Sequence, residues 1–382
     1  MKITPIITLL LLTSATAASA ALPADGYYRV KNVMSGRYVY VIDNHGYLDW
    51  GATSADLNAI ELWKGHENTI SDPASVLYFN HIEDSQYDVT AQGTGIHQII
   101  DYYVKLYEIK SEPDTYMLYA SKSGMTKYLC DGERSETQDR GVLGDSGEGK
   151  WRYWHLEKIE TSGDNHFGIT PSLEGADGWY EPFYAAFPYS FSSPGMTALY
   201  VSHVDAEHGI AVVKETSGTI PAGTPLIIKC NGVNAADNRL DIGGTASATL
   251  SGNCLKGVYF ENTAHKHYSA VAYDAATMRI PAILADGKLG FVTSDIELLP
   301  RNKSYLTVPQ GCAETLQTMT ENEYKTYLEN LPPEAGIDSV TAEKSVYDVY
   351  NMLGVKVGDT NSTSNLAPGI YIINHKKVFI GK

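Results

Sequence analysis

Apolar and polar residues alternate in short runs along most of the chain, and turn residues interrupt the runs. From Gly26 the sequence reads GYYRVKNVMSGRYVYVIDNHGYLDWG, in which Ser35-Gly36 and Asn44-His45-Gly46 separate two strand-like segments. Period-two alternation between such turn signals indicates β-strands. Related units begin near Ser75 and Thr115, and a recurrence of about 40 to 50 residues is typical of a repeated architecture. The pattern predicts an all-β protein.

The three units also end on related segments, AIELWKG, VKLYEIK and WRYWHLEKI, each with an aromatic residue among aliphatic ones. Together with YYRVKNVMSGRYVYV and the run Trp151-Arg152-Tyr153-Trp154, they resemble a β-trefoil of the ricin-type lectin family over residues 22–160. The family commonly has a Gln-x-Trp motif near this run, and the glutamine is absent here. The resemblance implies repeated hydrophobic residues that fill a shared core.

The same resemblance implies candidate sugar-binding residues. In ricin-type trefoils an aspartate after the Tyr-Leu strand accepts hydrogen bonds from sugar hydroxyls, and a later aromatic residue stacks on the ring. That aspartate position falls on Tyr40, Asp88 and Cys130, and only Asp88 is a carboxylate. In the middle repeat Tyr102 or Tyr103 would be the stacking residue and Gln98 or Asp101 a further hydrogen-bond partner. A second candidate group in the first repeat is Asp43, Asn44 and Trp50. Alternatively, Asp88 caps a turn and binds no ligand.

Residues 161–335 predict a second all-β domain. Stretches such as WYEPFYAAFPYSF and GTIPAGTPLIIKC alternate apolar and polar positions between Pro and Gly turns, which favours a β-sandwich-like domain. These phrases resemble a β-rich module of secreted Bacteroidetes-type proteins. Near the end, Thr320 and Glu323 form a capping-box pattern before YKTYLENL, which predicts one short helix that Pro332-Pro333 ends.

Residues 336–382 predict a small C-terminal β domain. The segments VYNMLGVKV, LAPGIYII and KKVFIGK resemble the C-terminal sorting domain of the Por (type IX) secretion system. The resemblance implies that the outer-membrane secretion machinery is a partner of this tail. Alternatively, the terminal hairpin is an edge of the preceding sandwich.

The N-terminus has the features of a secretory signal peptide over residues 1–20. Met1-Lys2 precedes an apolar run at 6–12 and the small residues Ala18-Ser19-Ala20. The run is well short of the roughly 18 residues of a membrane-spanning helix, and no comparable run follows, so we expect no transmembrane segment. The expected location is therefore outside the cell or on its outer surface, after export through the periplasm.

Composition narrows the choice of partners. The formal net charge of -16 disfavours nucleic acid, because phosphate backbones attract basic patches. The chain has 27 tyrosines against 8 phenylalanines. Tyrosine suits half-buried strands at a wet surface, and its flat ring also suits the apolar face of a sugar.

Four cysteines, Cys130, Cys230, Cys254 and Cys312, allow three complete pairings in an oxidising compartment. Cys230 and Cys254 are the disulfide candidate, since each lies beside an Asn-Gly or Gly-Asn turn signal. The alternative is four buried free thiols. None has CxxC spacing, and His265 and His267, which would share one face of a strand, have no nearby acid to complete a metal site. We therefore predict no metal and no cofactor.

The chain contains no HExxH, GxSxG, GxxxxGK[ST] or GxGxxG motif, so we predict that it is not an enzyme. The leading hypothesis is a secreted or cell-surface, non-catalytic carbohydrate-binding protein with a glycan ligand. One alternative is a surface structural or adhesion protein whose trefoil binds protein. A less favoured one is a glycan-directed hydrolase with an unrecognised pair of carboxylates.

Deletion of the chain from Leu366 onward tests the sorting hypothesis. We expect the N-terminal domain to fold and the truncated protein to stay in the periplasm, because the tail is predicted to be a separate module. Fractionation of the native host measures this, and surface delivery of the truncated chain would mean that the hairpin is structural only.

Overall fold

The computed structural model describes residues 22–41, 60–63, 69–93, 103–122, 124–131, 141–144, 149–259, 270–331, 347–360, 363, 366–374 and 376–381. These residues form an all-β protein with short helical segments, as the alternating pattern predicts. The chain divides into two compact units, Met1–Tyr324 and Lys325–Lys382.

One ten-stranded antiparallel sheet holds the strands of the N-terminal part of the first unit. Its strands in chain order are β1 (Gly26–Asn32), β2 (Tyr38–Val41), β3 (Ile60–Trp63), β4 (Leu77–Glu83), β5 (Gln86–Ala91), β6 (Val104–Glu108), β7 (Thr115–Lys122), β8 (Met125–Asp131), β9 (Gly141–Gly144) and β10 (Trp154–Lys158).

Six of these strands close into a barrel. β1 pairs with β4, and the pairing continues through β5, β6 and β7. β10 then pairs with both β7 and β1 and completes the ring. The β2–β3 hairpin extends from β1, and the β8–β9 hairpin extends from β7. Closure leaves no unpaired edge on these six strands.

Side-chain alternation fills the barrel with apolar residues. Trp154 is fully buried, and its indole Nε1 donates a hydrogen bond to the Leu129 carbonyl oxygen at 2.9 Å. An indole N–H inside a core needs such a partner, because an unpaired buried donor is costly. The ring strands add to this core Tyr28, Val30, Leu77, Phe79, Tyr87, Val89, Ala91, Val104, Leu106, Tyr116, Leu118, Ala120 and Leu156.

Of the three closing segments identified in the sequence, two contribute a strand to the ring and one does not. VKLYEIK contains β6 and WRYWHLEKI contains β10, and both strands belong to the ring. AIELWKG contains β3, which pairs with β2. In the first repeat, β1 hydrogen-bonds directly to β4 through Gly26–Tyr28 and Leu77–Phe79. The closing strands of the second and third units therefore belong to the ring, and the closing strand of the first does not.

The strands after residue 166 build two further sheets within the first unit. The smaller has the order β11, β18, β14. The larger has the order β12, β13, β17, β15, β16, β23, β21, β20, β22, β19. The ranges are β11 (Phe167–Gly168), β12 (Leu173–Gly175), β13 (Gly178–Phe183), β14 (Tyr189–Phe191), β15 (Thr197–Asp205), β16 (Ile210–Thr216), β17 (Leu226–Cys230), β18 (Arg239–Ile242), β19 (Leu255–Gly257), β20 (Met278–Ile283), β21 (Leu289–Val292), β22 (Ser304–Thr307) and β23 (Thr315–Thr320).

These two sheets share one hydrophobic core. Phe167, Tyr189 and Leu240 of the small sheet join the same buried cluster as Ile227 and Phe291 of the large sheet. Such face-to-face burial is what a sandwich-like arrangement requires. β23 lies between β16 and β21, parallel to the first and antiparallel to the second.

Buried polar contacts join the barrel to these sheets inside the first unit. Arg29 of β1 is 1% exposed. Its guanidinium donates hydrogen bonds to the Asn165 side-chain oxygen, to Ser75 Oγ at 3.2 Å and to the Ile70 carbonyl oxygen at 3.3 Å. It also lies 6.0 Å from the Phe167 ring centroid. Burial lowers the pKa of Arg29 to about 10, so the group is still charged at neutral pH.

A second polar link is an ion pair between the two parts. Both terminal nitrogens of Arg301 donate to the Asp72 carboxylate, each at 2.6 Å. Asp72 also accepts a hydrogen bond from the Ala74 backbone N–H at 2.9 Å, which caps a short 3-10 turn. Gln92 Oε1 accepts from the Ala186 backbone N–H at 3.0 Å nearby.

The predicted helix is present as α1 (Glu321–Asn330). The Thr320 backbone N–H donates to Glu323 Oε2 at 2.7 Å, and the Glu323 backbone N–H donates to Thr320 Oγ1 at 3.3 Å. These reciprocal bonds are the capping box that the sequence predicts, so the helix prediction is confirmed. Pro332-Pro333 lie outside the described residues.

The second unit contains a four-stranded antiparallel sheet of order β25, β24, β26, β27. Its strands are β24 (Asp348–Asn351), β25 (Lys356–Asp359), β26 (Gly369–Ile373) and β27 (Lys376–Ile380). β26 and β27 form the predicted terminal hairpin, in which Ile373 pairs with Lys376 and Asn374 has a φ of 45°. Asparagine tolerates this left-handed conformation better than most residues. The hairpin pairs with β24 in its own sheet, and its role as a sorting signal stays a prediction.

Among the described residues, no helix has both the length and the apolar character that a membrane crossing requires.

The Asp72–Arg301 pair generates a stability prediction. Asp72→Asn keeps the side-chain size and the capping oxygen but removes the negative charge that Asp72 places beside the largely buried guanidinium of Arg301. We expect the free energy of unfolding to fall by about 3 kcal/mol, as for other broken buried pairs. Urea denaturation at neutral pH measures the change.

Asp177→Asn is the matched control. Asp177 pairs with Lys229 at 2.9 Å, but its side chain is 57% exposed. We expect that variant to lose less than about 1 kcal/mol. Equal losses in the two variants would show that the Asp72–Arg301 pair does not hold the barrel to the sheets.

Candidate functional site

The structure places two of the predicted sugar-binding residues on neighbouring strands. Asp88 lies within β5 and is half-buried, and Tyr103 lies directly before β6 with 47% of its surface exposed. The remaining candidates lie outside the described residues; they are Gln98, Asp101, Tyr102, Asp43, Asn44 and Trp50.

Strand register shows that Asp88 and Tyr103 lie at the same level. Tyr87 pairs with Val104 across the antiparallel strands β5 and β6. One residue further along β5 is Asp88, and one residue back from Val104 is Tyr103, so these two are neighbours. Tyr87 and Val104 both belong to the barrel core. Because side chains alternate along a strand, Asp88 and Tyr103 lie on the outer surface of the barrel. The structure therefore supports grouping them.

Three more tyrosines lie on the same outer surface. Tyr107 is two residues after Lys105 on β6 and is 56% exposed. Tyr119 and Tyr128 pair across β7 and β8, their ring centroids are 5.6 Å apart, and the ring planes are inclined by 40°. We call the set Tyr103, Tyr107, Tyr119 and Tyr128 the tyrosine face. Partial burial, together with the neighbouring Tyr128, raises the pKa of Tyr119, so its hydroxyl is a neutral hydrogen-bond donor at neutral pH.

Polar side chains lie among these rings. Gln86, Lys105, Tyr119 and Tyr128 are directly opposed in order across β5, β6, β7 and β8. The guanidinium carbon of Arg152 lies 5.0 Å from the Tyr128 ring centroid. At the end of the β7–β8 hairpin, the hydroxyls of Ser121 and Thr126 are hydrogen-bonded at 2.9 Å. This surface thus combines flat aromatic rings with hydrogen-bonding groups.

The sequence analysis identified Tyr103 but not Tyr107, Tyr119 or Tyr128. A signal was available in VKLYEIK and TYMLYASK. In each segment, the buried positions of a half-buried strand leave a tyrosine at an alternate, outward position. Their grouping depends on the register between strands, which these local patterns do not contain.

A second cluster of titratable groups surrounds Asp205. His208 Nδ1 lies 2.8 Å from Asp205 Oδ2, and the Tyr324 hydroxyl donates to the same oxygen at 2.9 Å. The backbone N–H groups of Glu207 and His208 also donate to Asp205, each at 3.1 Å. Burial raises the pKa of Asp205, but the hydrogen bonds from His208 and Tyr324 outweigh it and leave a lowered value. These bonds make Asp205 a cap of the β15–β16 turn.

The predicted disulfide is wrong. All four cysteines lie within the described residues and are free thiols, Cys254 partly exposed and the other three buried. Cys230 ends β17 opposite Trp179. The Cys254 backbone N–H donates to the Val201 carbonyl oxygen of β15, several residues along from the β15 residue Thr197 that pairs with Lys229. Burial raises the pKa of Cys230 to about 12 and also raises that of Cys254 and Cys312. The three buried thiols act as small core residues, whereas the alternative of four buried free thiols does not hold for the partly exposed Cys254.

No family model and no curated protein matches the chain. Among solved structures, the chain is similar to one titled "BEL beta-trefoil apo crystal form 3" at 12% sequence identity. The match covers 37% of this chain and 98% of that chain with a TM-score of 0.25. A score this low carries no argument. The fold and surface described above therefore define the class: an all-β protein with a barrel that exposes a cluster of tyrosines.

The free thiols generate a chemical prediction. With no reductant added, we expect four thiols per chain to react with Ellman's reagent after unfolding. In the native protein at neutral pH we expect Cys254 to react first, because the other three are shielded and a buried thiol ionises reluctantly. Cys254→Ser should remove the fast phase. A count of two thiols in the unfolded protein would instead indicate a bridge.

Proposed function

We propose that the protein is a non-catalytic carbohydrate-binding protein and that the tyrosine face is its binding surface. The observation that carries this proposal is the position of Asp88 beside Tyr103 at the margin of a surface with three further tyrosines. Tyrosine rings supply a flat apolar surface with a polar edge. A carboxylate accepts charge-assisted hydrogen bonds from hydroxyl groups. A sugar ring offers both an apolar C–H face and hydroxyls, so the two kinds of group suit one ligand.

The barrel favours binding because it holds these groups in place before a ligand arrives. Asp88, Tyr119 and Tyr128 lie within strands of a sheet whose other face is packed core. Fixed side chains lose little conformational entropy on binding. Binding groups on strands are also held more accurately than groups on loops.

The outer face offers little for hydrolysis of a glycosidic bond, which needs two carboxylates about 5 to 10 Å apart. Among the described outward positions of β5 to β8, Asp88 is the one carboxylate. The remaining outward residues are Gln86, Thr90, Lys105, Tyr107, Thr115, Met117, Tyr119, Ser121, Thr126, Tyr128 and Cys130. This composition supports binding without catalysis.

We also propose export and a location outside the cell or on its surface, with the outer-membrane secretion machinery as a partner. The support is the N-terminal sequence at 1–20 and the tail segments VYNMLGVKV, LAPGIYII and KKVFIGK. A protein ligand for the barrel is the second candidate, since tyrosine is also enriched in protein interfaces. A glycan array with the purified protein separates the two candidates.

Two substitutions test the binding surface. Asp88→Ala removes a charge-assisted hydrogen bond, so we expect glycan affinity to fall by about tenfold to a hundredfold. Tyr103→Ala removes an exposed ring and should weaken binding by about two- to tenfold. Both variants should melt within a few degrees of the wild type. Affinity is measured by calorimetry with the best ligand from the array.

Tyr347→Ala is the matched control, because Tyr347 is 41% exposed and lies in the second unit. It should leave affinity unchanged. If Asp88→Ala lowers the melting temperature while glycan affinity stays intact, Asp88 has the structural role that the sequence analysis left open. Binding unaffected by either substitution would overturn the assignment of this surface.

A further inference from the structure

Two cationic side chains, Lys105 and Arg152, lie beside the Tyr119–Tyr128 pair. Lys105 is directly opposite Tyr119 across β6 and β7, with Tyr103 and Tyr107 two residues before and after it on the same side of β6. The guanidinium carbon of Arg152 lies 5.0 Å from the centroid of the Tyr128 ring. We call the set Lys105, Tyr119, Tyr128 and Arg152 the cationic row.

Neither cation is neutralised by the part of the protein that the structure describes. Lys105 has no hydrogen bond or ion pair there. Arg152 has the ring contact with Tyr128, and its buried Nε lacks a hydrogen-bond partner.

Other lysines of this acidic chain do have an acid partner. Six of them form ion pairs with carboxylates in the described residues: Lys31, Lys150, Lys214, Lys229, Lys303 and Lys356. With a formal net charge of -16, acids are abundant. Within the part of the chain that the structure describes, Lys105 and Arg152 lie beside the two rings of one aromatic pair without an acid partner.

We propose that the tyrosine face selects an acidic glycan, a sugar chain with carboxylate or sulfate groups, and that Lys105 and Arg152 contact those anionic groups. This inference rests on the proposed carbohydrate-binding function and deepens it. An arginine beside an aromatic ring can offer its terminal N–H groups to a carboxylate or sulfate in a bidentate contact. Lys105 supplies a point charge among the rings, where partial desolvation strengthens the attraction.

Asp88 determines the orientation of the bound oligosaccharide. It lies at the Tyr103 end of the face and repels anionic groups, while it accepts hydrogen bonds from hydroxyls. The cationic row extends from Lys105 on β6 to Tyr128 on β8. β6 and β8 are two strand spacings apart, about 10 Å, so the row suits an oligosaccharide better than a single sugar. Hydroxyls are expected near Asp88 and acidic groups near Lys105 and Arg152.

Matched probes that differ only in charge test this proposal. The first pair is a 1,4-linked galacturonate tetramer and the same tetramer with its carboxylates reduced to alcohols. The second pair is a sulfated tetrasaccharide and its desulfated form. Calorimetry on the full chain gives each affinity at low and high salt. We expect at least one acidic probe to bind about tenfold more tightly than its neutral partner, with salt reducing the difference.

Substitutions assign the effect to the row. Lys105→Gln should weaken binding of the acidic probe by about tenfold and leave the neutral partner within about twofold. Arg152→Lys, which keeps the charge but loses the planar fork, should also weaken the acidic probe selectively. Lys256→Gln is the control, because Lys256 is exposed on β19 and carries the same charge. It should change neither affinity.

The outcomes separate this inference from the proposed function. If the neutral probes bind as tightly as the acidic ones, or Lys105→Gln and Lys256→Gln have equal effects, the acidic selectivity is overturned and carbohydrate binding stands. If none of the four probes binds and a broad glycan array is also negative, both proposals fail.

Discussion

The structure depends on the closure of the six-stranded ring by β10. Trp154 pairs with Asn32 of β1 on one side and with Tyr116 of β7 on the other. Since side chains alternate along each strand, this double pairing determines which residues of the ring strands face inward. A slip of one residue would exchange the inner and outer sets. Tyr87 and Tyr116 are core residues for this reason, while Tyr103 and Tyr119 form the outer surface.

The two layers of the first unit meet through polar groups that are themselves buried. Arg29 satisfies its donors with neutral oxygens, and an aromatic ring from the neighbouring sheet, Phe167, lies beside it. A buried guanidinium needs a full set of partners, because an incompletely satisfied one is more costly than an apolar residue. Such a contact admits few alternative geometries. It therefore specifies how the barrel and the adjoining sheet are oriented within this unit.

Local features of the chain were predictable from sequence, and features that depend on long-range pairing were not. The helix at Glu321–Asn330 and the hairpin at Gly369–Ile380 follow from a capping box and from a polar turn between apolar runs, and both are present. The closing segment AIELWKG resembles the other two in sequence, but its strand β3 pairs with β2 outside the ring. The Cys230–Cys254 prediction failed because turn signals beside two cysteines do not specify which strands lie next to each other. The same limit applies to the tyrosine face. Asp88 was identified by resemblance, whereas the contact of Arg152 with Tyr128 exists only after β7 and β8 have paired.

The position of β23 determines how the first unit responds to tension. β23 ends at Thr320 and is flanked by β16 on one side and by β21 on the other. A force along the chain at Thr320 acts along the axis of β23, while the hydrogen bonds of the ladder lie across that axis. The bonds on both sides are then strained together, in shear, and several must break at once. A strand at the edge of a sheet that is peeled from one end loses its bonds one at a time. β23 is therefore a mechanical anchor that ties the following chain to the centre of the large sheet.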